Sequence, residues 1–219
     1  MSLRVPDRYS ITRLLKPRFN DAADFVCTEF VRGSVLHQAL AIPEDDYAAH
    51  MKQSFMHLMG QAFSFVAVDN ENGRIAGCIL AGDFKAPAGD AIETLDAMQP
   101  IKSLLDELER GYRLGTQMTT GDALLVDVAV VSPPARGEGL YSRLRQQIHT
   151  SGREHGFKYV LGELSSAFTQ QYCVGKLGHR IVSEIAYKDF KYQGRYPFAD
   201  IEHPASIQMT EGALSPACL

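Results

Sequence analysis

The chain has no tryptophan, no long run of basic residues and no apolar stretch near the roughly 20 residues that a membrane-spanning helix needs. A helical membrane protein is therefore not expected. With a net charge of −4 and no basic stripe, neither is a protein whose main ligand is nucleic acid. Cysteine is scarce and scattered: Cys27, Cys78, Cys173 and Cys218 show no CxxC spacing and no neighbouring histidine. That argues against a disulfide framework, a zinc site and a Cys–His nucleophile, and leaves reduced thiols as the expectation. The histidines are dispersed too, and His50 and His57 stand a heptad apart, so no metal is expected. The opening MSLRVPDRYS lacks an apolar signal-peptide core, so the expected location is the cytoplasm.

What is present suits one α/β domain over residues 1–219, without an internal repeat or a clear linker. Tyr9 to Leu15 reads as a strand. Asn20 is expected to cap a helix to about Val31, with Ala22, Phe25, Val26 and Phe30 on one face. Pro43 suits the first turn of a second helix, where Glu44, Asp45 and Asp46 complement the dipole and Tyr47, Met51, Phe55, Leu58 and Met59 follow helical spacing. Phe63 to Val68 and Ile75 to Phe84 read as a hairpin closed through Asn72-Gly73. Ile92 to Leu114 reads as a helix interrupted at Pro100. The stretch 85–118 is then a lid, a wall of an acceptor pocket, or a connection covering the sheet.

After a strand at Leu124 to Val131, Leu140, Leu144 and Ile148 mark a helix that Gly156 can stop. Phe157 to Leu164 is another strand, Ser165 to Thr169 offer caps for a short helix ended by Gly178, and Ile181–Phe190 and Ser206–Thr210 read as closing strands.

The densest information lies in Val131-Ser132-Pro133-Pro134-Ala135-Arg136-Gly137-Glu138-Gly139-Leu140-Tyr141. A buried strand stops at two prolines, a glycine-bearing turn follows, and a helix begins. Free backbone N–H groups and a helix N-terminus at one corner favour an anion, above all a phosphorylated ligand.

The order of elements, the corner and Lys176-Leu177-Gly178-His179 together resemble the GCN5-related N-acetyltransferase (GNAT) superfamily. Its R/Q-x-x-G-x-G/A pattern holds the pyrophosphate of acetyl-CoA, and Arg136 and Gly139 fill the first and fourth positions. Tyr141 stands where the family prefers Gly or Ala, and His179 where its K-L-G-F ends in Phe. The resemblance implies an α/β (α+β) fold: a mixed, mostly antiparallel sheet of about seven strands flanked by helices, with a splayed central strand pair. It also implies acetyl-CoA as cosubstrate, with no metal. The cofactor positions fall on Ala129, Val130 and Val131 of the strand and on Arg136, Gly137, Glu138, Gly139, Leu140, Tyr141 and Ser142 of the corner. Phe30-Val31-Arg32-Gly33-Ser34-Val35-Leu36 is similar in place to the F-x-x-x-E-P-L of the arylalkylamine branch, with Ser34 where insect members carry a catalytic glutamate. The implied partner is a small primary amine, with a homodimer as a further expectation.

An alkylamine with a pKa of about 10.4 must lose a proton to attack a thioester. Asp127 is the only charged residue between Leu124 and Val131, and strand alternation would put it on the face of Leu125, Ala129 and Val131. It reads as the base, or as a carboxylate paired to a cross-strand cation. Glu29 is a second candidate if its helix face looks inward, and a solvated edge if not. Glu163 can relay a proton through water or orient backbone. Tyr172 can protonate the leaving thiolate or serve as packing, and Thr169 is a cap or a further hydroxyl. The expected activity is direct acetyl transfer in a ternary complex. The alternatives are a catalytically silent acyl-CoA-binding module, or an enzyme for an amino sugar, a polyamine or a protein amine.

Overall fold

The structure, a computed structural model, describes residues 7–86 and 94–214. Seven strands form one sheet: β1 (Tyr9–Arg13), β2 (Phe65–Asp69), β3 (Ile75–Asp83), β4 (Ala123–Val131), β5 (Tyr159–Leu164), β6 (Arg180–Ala186) and β7 (Ser206–Ala213). Their order is β1-β2-β3-β4-β5-β7-β6. All neighbours are antiparallel except β4 and β5, which run parallel because a helix carries the chain between them. The expected mixed, mostly antiparallel architecture is thus observed.

Helices α1 (Phe19–Gly33), α2 (Val35–Ala39), α3 (Glu44–Gly60) and α4 (Gln99–Gly115) are joined by α5 (Leu140–Glu154) and the short α6 (Ala167–Gln170), which continues into a π-helical turn, Gln171–Lys176. Two apolar layers result. Ala22 and Val26 of α1, Phe55 of α3 and Leu104 and Leu108 of α4 pack on one face with Val128 and Val130, while Leu140, Leu144 and Ile148 of α5 pack on the other with Leu124 and Val126.

That division exposes a break in β4. Leu80 pairs with Val128 but Ala81 with Val126, so Asp127 is an extra residue with no partner on β3. Such a bulge reverses the side-chain alternation beyond it. Leu125 therefore packs against one layer while Ala129 and Val131 pack against the other, and the expected shared face of Asp127 with all three does not exist.

Other local expectations also shift. Asn20 lies inside α1 rather than capping it, for the helix starts at Phe19 behind Arg18. Pro100 opens α4 instead of interrupting a longer helix, because at the first turn its missing N–H costs nothing. The start of the expected helix at Ile92 lies outside the described residues, as does Cys218; Cys27, Cys78 and Cys173 are free and buried. Helix α2, right after Ser34, had no apolar period long enough to announce it.

Packing is close at Gly212 on β7, where an added Cβ would lie 2.3 Å from His179 Nε2. His179 is buried and its ring stacks on His149 at 5.7 Å, so it has little room to yield. Gly212→Ala should cost about 1–3 kcal/mol of overpacking strain, visible as a melting temperature several degrees lower; an unchanged value would contradict this packing.

Candidate functional site

Parallel pairing of β4 with β5 ends at Val126–Gly162, after which the strands part and Glu163 and Leu164 pair only with β7. Ser132 N–H bonds to Ala76 O on the β3 side. By alternation, Ala129 and Val131 turn their backbone groups to the open side. The splayed pair opens a cleft of about 900 Å³, lined by the end of α1, by β4 from Val126 to Val131, by the corner, and by the segment Glu163–Lys176.

At one end stands the corner. Gly137 and Gly139 adopt left-handed backbone, φ 88° and 71°, and Gly139 starts α5 without any side-chain cap. Among the described residues, none of the N–H groups from Gly137 to Ser142 donates to a backbone carbonyl. The Arg136 N–H does, to Pro133 O at 3.2 Å, so the cradle of free donors begins one residue later than the sequence suggested. No atom lies within 4 Å of where a Cβ would stand on either glycine, which leaves their backbone open to close approach. Six free amides, a helix N-terminus and the side chains of Arg136 and Lys176 on the cleft wall fit a diphosphate. Glu138 is exposed at the same turn, Leu140 is buried beneath it, and Ser142 Oγ accepts from Tyr172 Oη at 2.6 Å.

Tyr141 does not crowd this cradle. Its ring is buried, edge-on to Phe168 and Tyr172, and its hydroxyl accepts from Arg145 Nε at 3.1 Å. Arg145 is 1% exposed; it also contacts Cys173 Sγ at 2.7 Å and leaves Nη1 without a partner. None of the ion pairs formed by the described residues includes it. Because a buried charge without a counter-ion is a net cost, Arg145→Met should leave the melting temperature unchanged or raise it; a fall of many degrees would mean that the polar contacts outweigh the desolvation.

The opposite end is acidic. Asp127, Glu163 and Glu29 all line the cleft. Asp127 is exposed by area, yet the open area is the cleft's own and protein closes around it at longer range. Burial, then the negative charge of Glu109, pushes its pKa up to about 6. Its charge is felt by Tyr47 of α3, and no cross-strand cation pairs with it among the described residues. Glu163 is held well above the usual carboxylate range by burial and by Glu109 and Asp127. Glu29 is half-buried on α1.

Ser34 lines the same wall, with its Oγ 2.8 Å from His37 Nδ1. His37 is buried, packed edge-on against Tyr47 and Phe30, and burial pushes its pKa down to about 4, so it is neutral at physiological pH. Tyr172 and Thr169 also reach the cleft, and Thr169 N–H donates to Ser166 Oγ at 3.2 Å, which makes Ser166 the cap of α6. His37 and Glu109 were missed from the sequence. The Ser34-x-x-His37 spacing at a helix start was a usable signal. Glu109, four residues before Arg113, has the spacing of an ordinary helix-surface pair, so nothing local marked it.

Among the described residues no group of His, Cys, Asp and Glu could hold a metal, and no helix is long and apolar enough to cross a membrane.

No family model matches the chain. Comparison with solved structures shows that its fold is that of the GNAT acetyltransferases, with insect arylalkylamine N-acetyltransferase structures among the similar ones at low identity. The C-terminal condensation domain of Ebony, solved with β-alanyl-dopamine, is similar at TM-score 0.83 and 16% identity, over 94% of this chain and 98% of that one. Arylalkylamine N-acetyltransferase 2 from Aedes aegypti is similar at TM-score 0.82 and 18% identity, over 95% of this chain and 100% of that one. The protein yncA from Salmonella typhimurium, solved with acetyl-CoA as its cofactor, is similar at TM-score 0.53 and 16% identity, over 97% and 98%.

Proposed function

We propose that this protein is an acetyl-CoA-dependent N-acetyltransferase that acetylates a small primary amine, with an arylalkylamine as the leading acceptor. The observation that carries this reading is the polarity of the cleft. Six unpaired backbone amides lie at one end, the carboxyls of Asp127 and Glu163 lie at the other, and a splayed strand edge joins them. One end suits a diphosphate and the other a protonated amine.

In this reading the N–H groups of Gly137 to Ser142 bind the diphosphate, with Arg136 and Lys176 adding charge. Ala129 and Val131 hold the pantetheine arm by backbone hydrogen bonds, with Val130 between them. Backbone N–H groups of β4 stabilise the oxyanion that develops on the acetyl carbonyl. Asp127, ionised above about pH 6, attracts the ammonium and takes one proton from it; the freed lone pair attacks the acetyl carbon, collapse of the tetrahedral intermediate breaks the C–S bond, and the nitrogen's second proton leaves with the coenzyme A thiolate as the thiol. Ser34, tied to His37, and Glu29 shape the acceptor's entry. Holding both reactants in one cleft supplies much of the remaining acceleration.

Tyr172 is committed to Ser142 at the cofactor loop. Tyr172→Phe should therefore raise KM for acetyl-CoA a few-fold and lower kcat by less than about tenfold; a kcat loss of about a hundredfold or more would make it the acid for the leaving thiolate. The reaction order is tested by initial rates at varied acetyl-CoA and amine. Intersecting reciprocal plots support direct transfer in a ternary complex, and parallel plots would indicate a covalent acyl-enzyme. A second reading, a silent acyl-CoA-binding module, is favoured by Ser34 at the position of the insect catalytic glutamate. It predicts cofactor binding without turnover for every amine.

A further inference from the structure

We propose that Arg145, buried on α5, stabilises the negative charge on the coenzyme A sulfur as the C–S bond breaks, a role that rests on the function proposed above.

A guanidinium is charged at any working pH, and burying one without a counter-ion is a net cost. Arg145 is nevertheless only 1% exposed, and none of the ion pairs formed by the described residues includes it. Its Nε donates to Tyr141 Oη at 3.1 Å and its Nη2 to Cys173 Sγ at 2.7 Å, which fixes the head group between α5 and the π-helical turn. Its Nη1 has no partner among the described residues, although Arg145 lines the cleft. A fixed cation with one free donor on a cleft wall suits an anion that is present only part of the time.

Its place is the fork of the splayed strands. Val126–Gly162 is the last parallel pair of β4 and β5, and a Cβ on Gly162 would stand 3.3 Å from Arg145 Nη2. The glycine thus lets the guanidinium reach the fork from the α5 side, where Val126 also packs. Glu163, next on β5, turns to the opposite face by strand alternation. The fork therefore has a cation on one face and a carboxyl on the other. In the proposed function the pantetheine arm runs from the corner along Val131 and Ala129 towards this fork, so the sulfur would be met by Arg145 and the amine by the acidic groups.

Nothing described around Arg145 cancels its charge. On α5 it faces Tyr141 and His149, from the π-helical turn Cys173, and just beyond that turn His179. From β7 comes Thr210, whose Oγ1 lies 3.8 Å from the same Cβ position on Gly162. Burial, then the Arg145 charge, pushes His149 and His179 down to about 4, so both are neutral at physiological pH. Arg136 and Lys176, the other cations lining the cleft, are exposed and screened by solvent.

The step balances simply. As the tetrahedral intermediate collapses, the C–S bonding pair passes to sulfur. Arg145 donates an N–H hydrogen bond to that thiolate without giving up its proton, and the thiolate then takes the nitrogen's second proton. A thioester sulfur carries no charge, so the contact strengthens only as the bond breaks. Tyr172, committed to Ser142, need not act as the acid.

The test is calorimetry of coenzyme A and of its desulfo analogue binding to the full chain at about pH 7.5, in two buffers of different ionisation enthalpy. This counts protons released and needs no turnover. A thiol of pKa about 8.5 brought down by at least about one unit beside an Arg should make coenzyme A release about half a proton more than the desulfo analogue. That difference should vanish in Arg145→Met. Equal proton release by the two ligands, or a difference that survives in Arg145→Met, overturns the proposal and leaves the acetyl-CoA site standing. Binding of neither ligand overturns the acetyl-CoA reading and this proposal together. Should Arg145→Met fail to fold, the wild-type comparison alone decides. With an active enzyme, Arg145→Met should also lower kcat about a hundredfold with KM for acetyl-CoA within about threefold, and an unchanged kcat overturns the catalytic role.

Discussion

Asp127→Asn should lower amine-dependent turnover by about 10²–10⁴-fold at pH 8 while leaving acetyl-CoA affinity within about threefold. The bulge on β4 places this carboxyl at the acceptor end, and no backbone cradle of the cofactor depends on it. Wild-type kcat/KM should fall below about pH 6, where Asp127 takes up its proton, and that limb should vanish in the variant. Stability should move the other way. A carboxyl whose pKa is raised by folding contributes stability below its unfolded value, about 3.9, and loses it as pH rises through about 6. Asp127→Asn should therefore melt higher than the wild type at pH 7–8, by on the order of 1 kcal/mol once screening through the open cleft is counted. The gap should close near pH 4. A variant that keeps the acid limb removes Asp127 as the base, and one less stable at pH 8 contradicts its burial.

Gly139→Val should weaken acetyl-CoA binding by about a hundredfold, roughly 3 kcal/mol. Valine at φ 71° is strained by about 1–2 kcal/mol, and relief of that strain turns the first N–H groups of α5 out of register. Each charge-assisted bond lost from the cradle adds about 1.5–3 kcal/mol. Calorimetry with acetyl-CoA measures the loss directly. Because a Cβ at Gly139 meets nothing within 4 Å, the damage should be to ligand binding more than to packing. An unchanged affinity would mean that the diphosphate does not sit at this corner.

The frame and the glycine corner were legible in the sequence because both rest on short-range rules. Period-two and helical apolar spacing marked the strands and helices, and two glycines before Leu140, Leu144 and Ile148 marked a left-handed turn into a helix. The acidic end of the cleft was only half legible. Asp127 stood out as a lone charge in an apolar strand, but the bulge that aims it depends on how β3 pairs, with Leu80 opposite Val128 and Ala81 opposite Val126. Nothing local to β4 encodes that slip. Glu109 lies 18 positions before Asp127 and its charge acts on it only once α4 docks on the sheet. The inward turn of Tyr141 likewise depends on Arg145 one helical turn on and on Cys173 from a distant segment.

In the proposed function, one end of the cleft holds acetyl-CoA while the other activates an amine. Thiol release from acetyl-CoA, followed against a panel of arylalkylamines, polyamines and amino sugars between pH 5 and 9, tests it most directly. Release should be saturable, require an amine and decline below about pH 6. Tight acetyl-CoA binding with no amine-dependent release at any pH would contradict it.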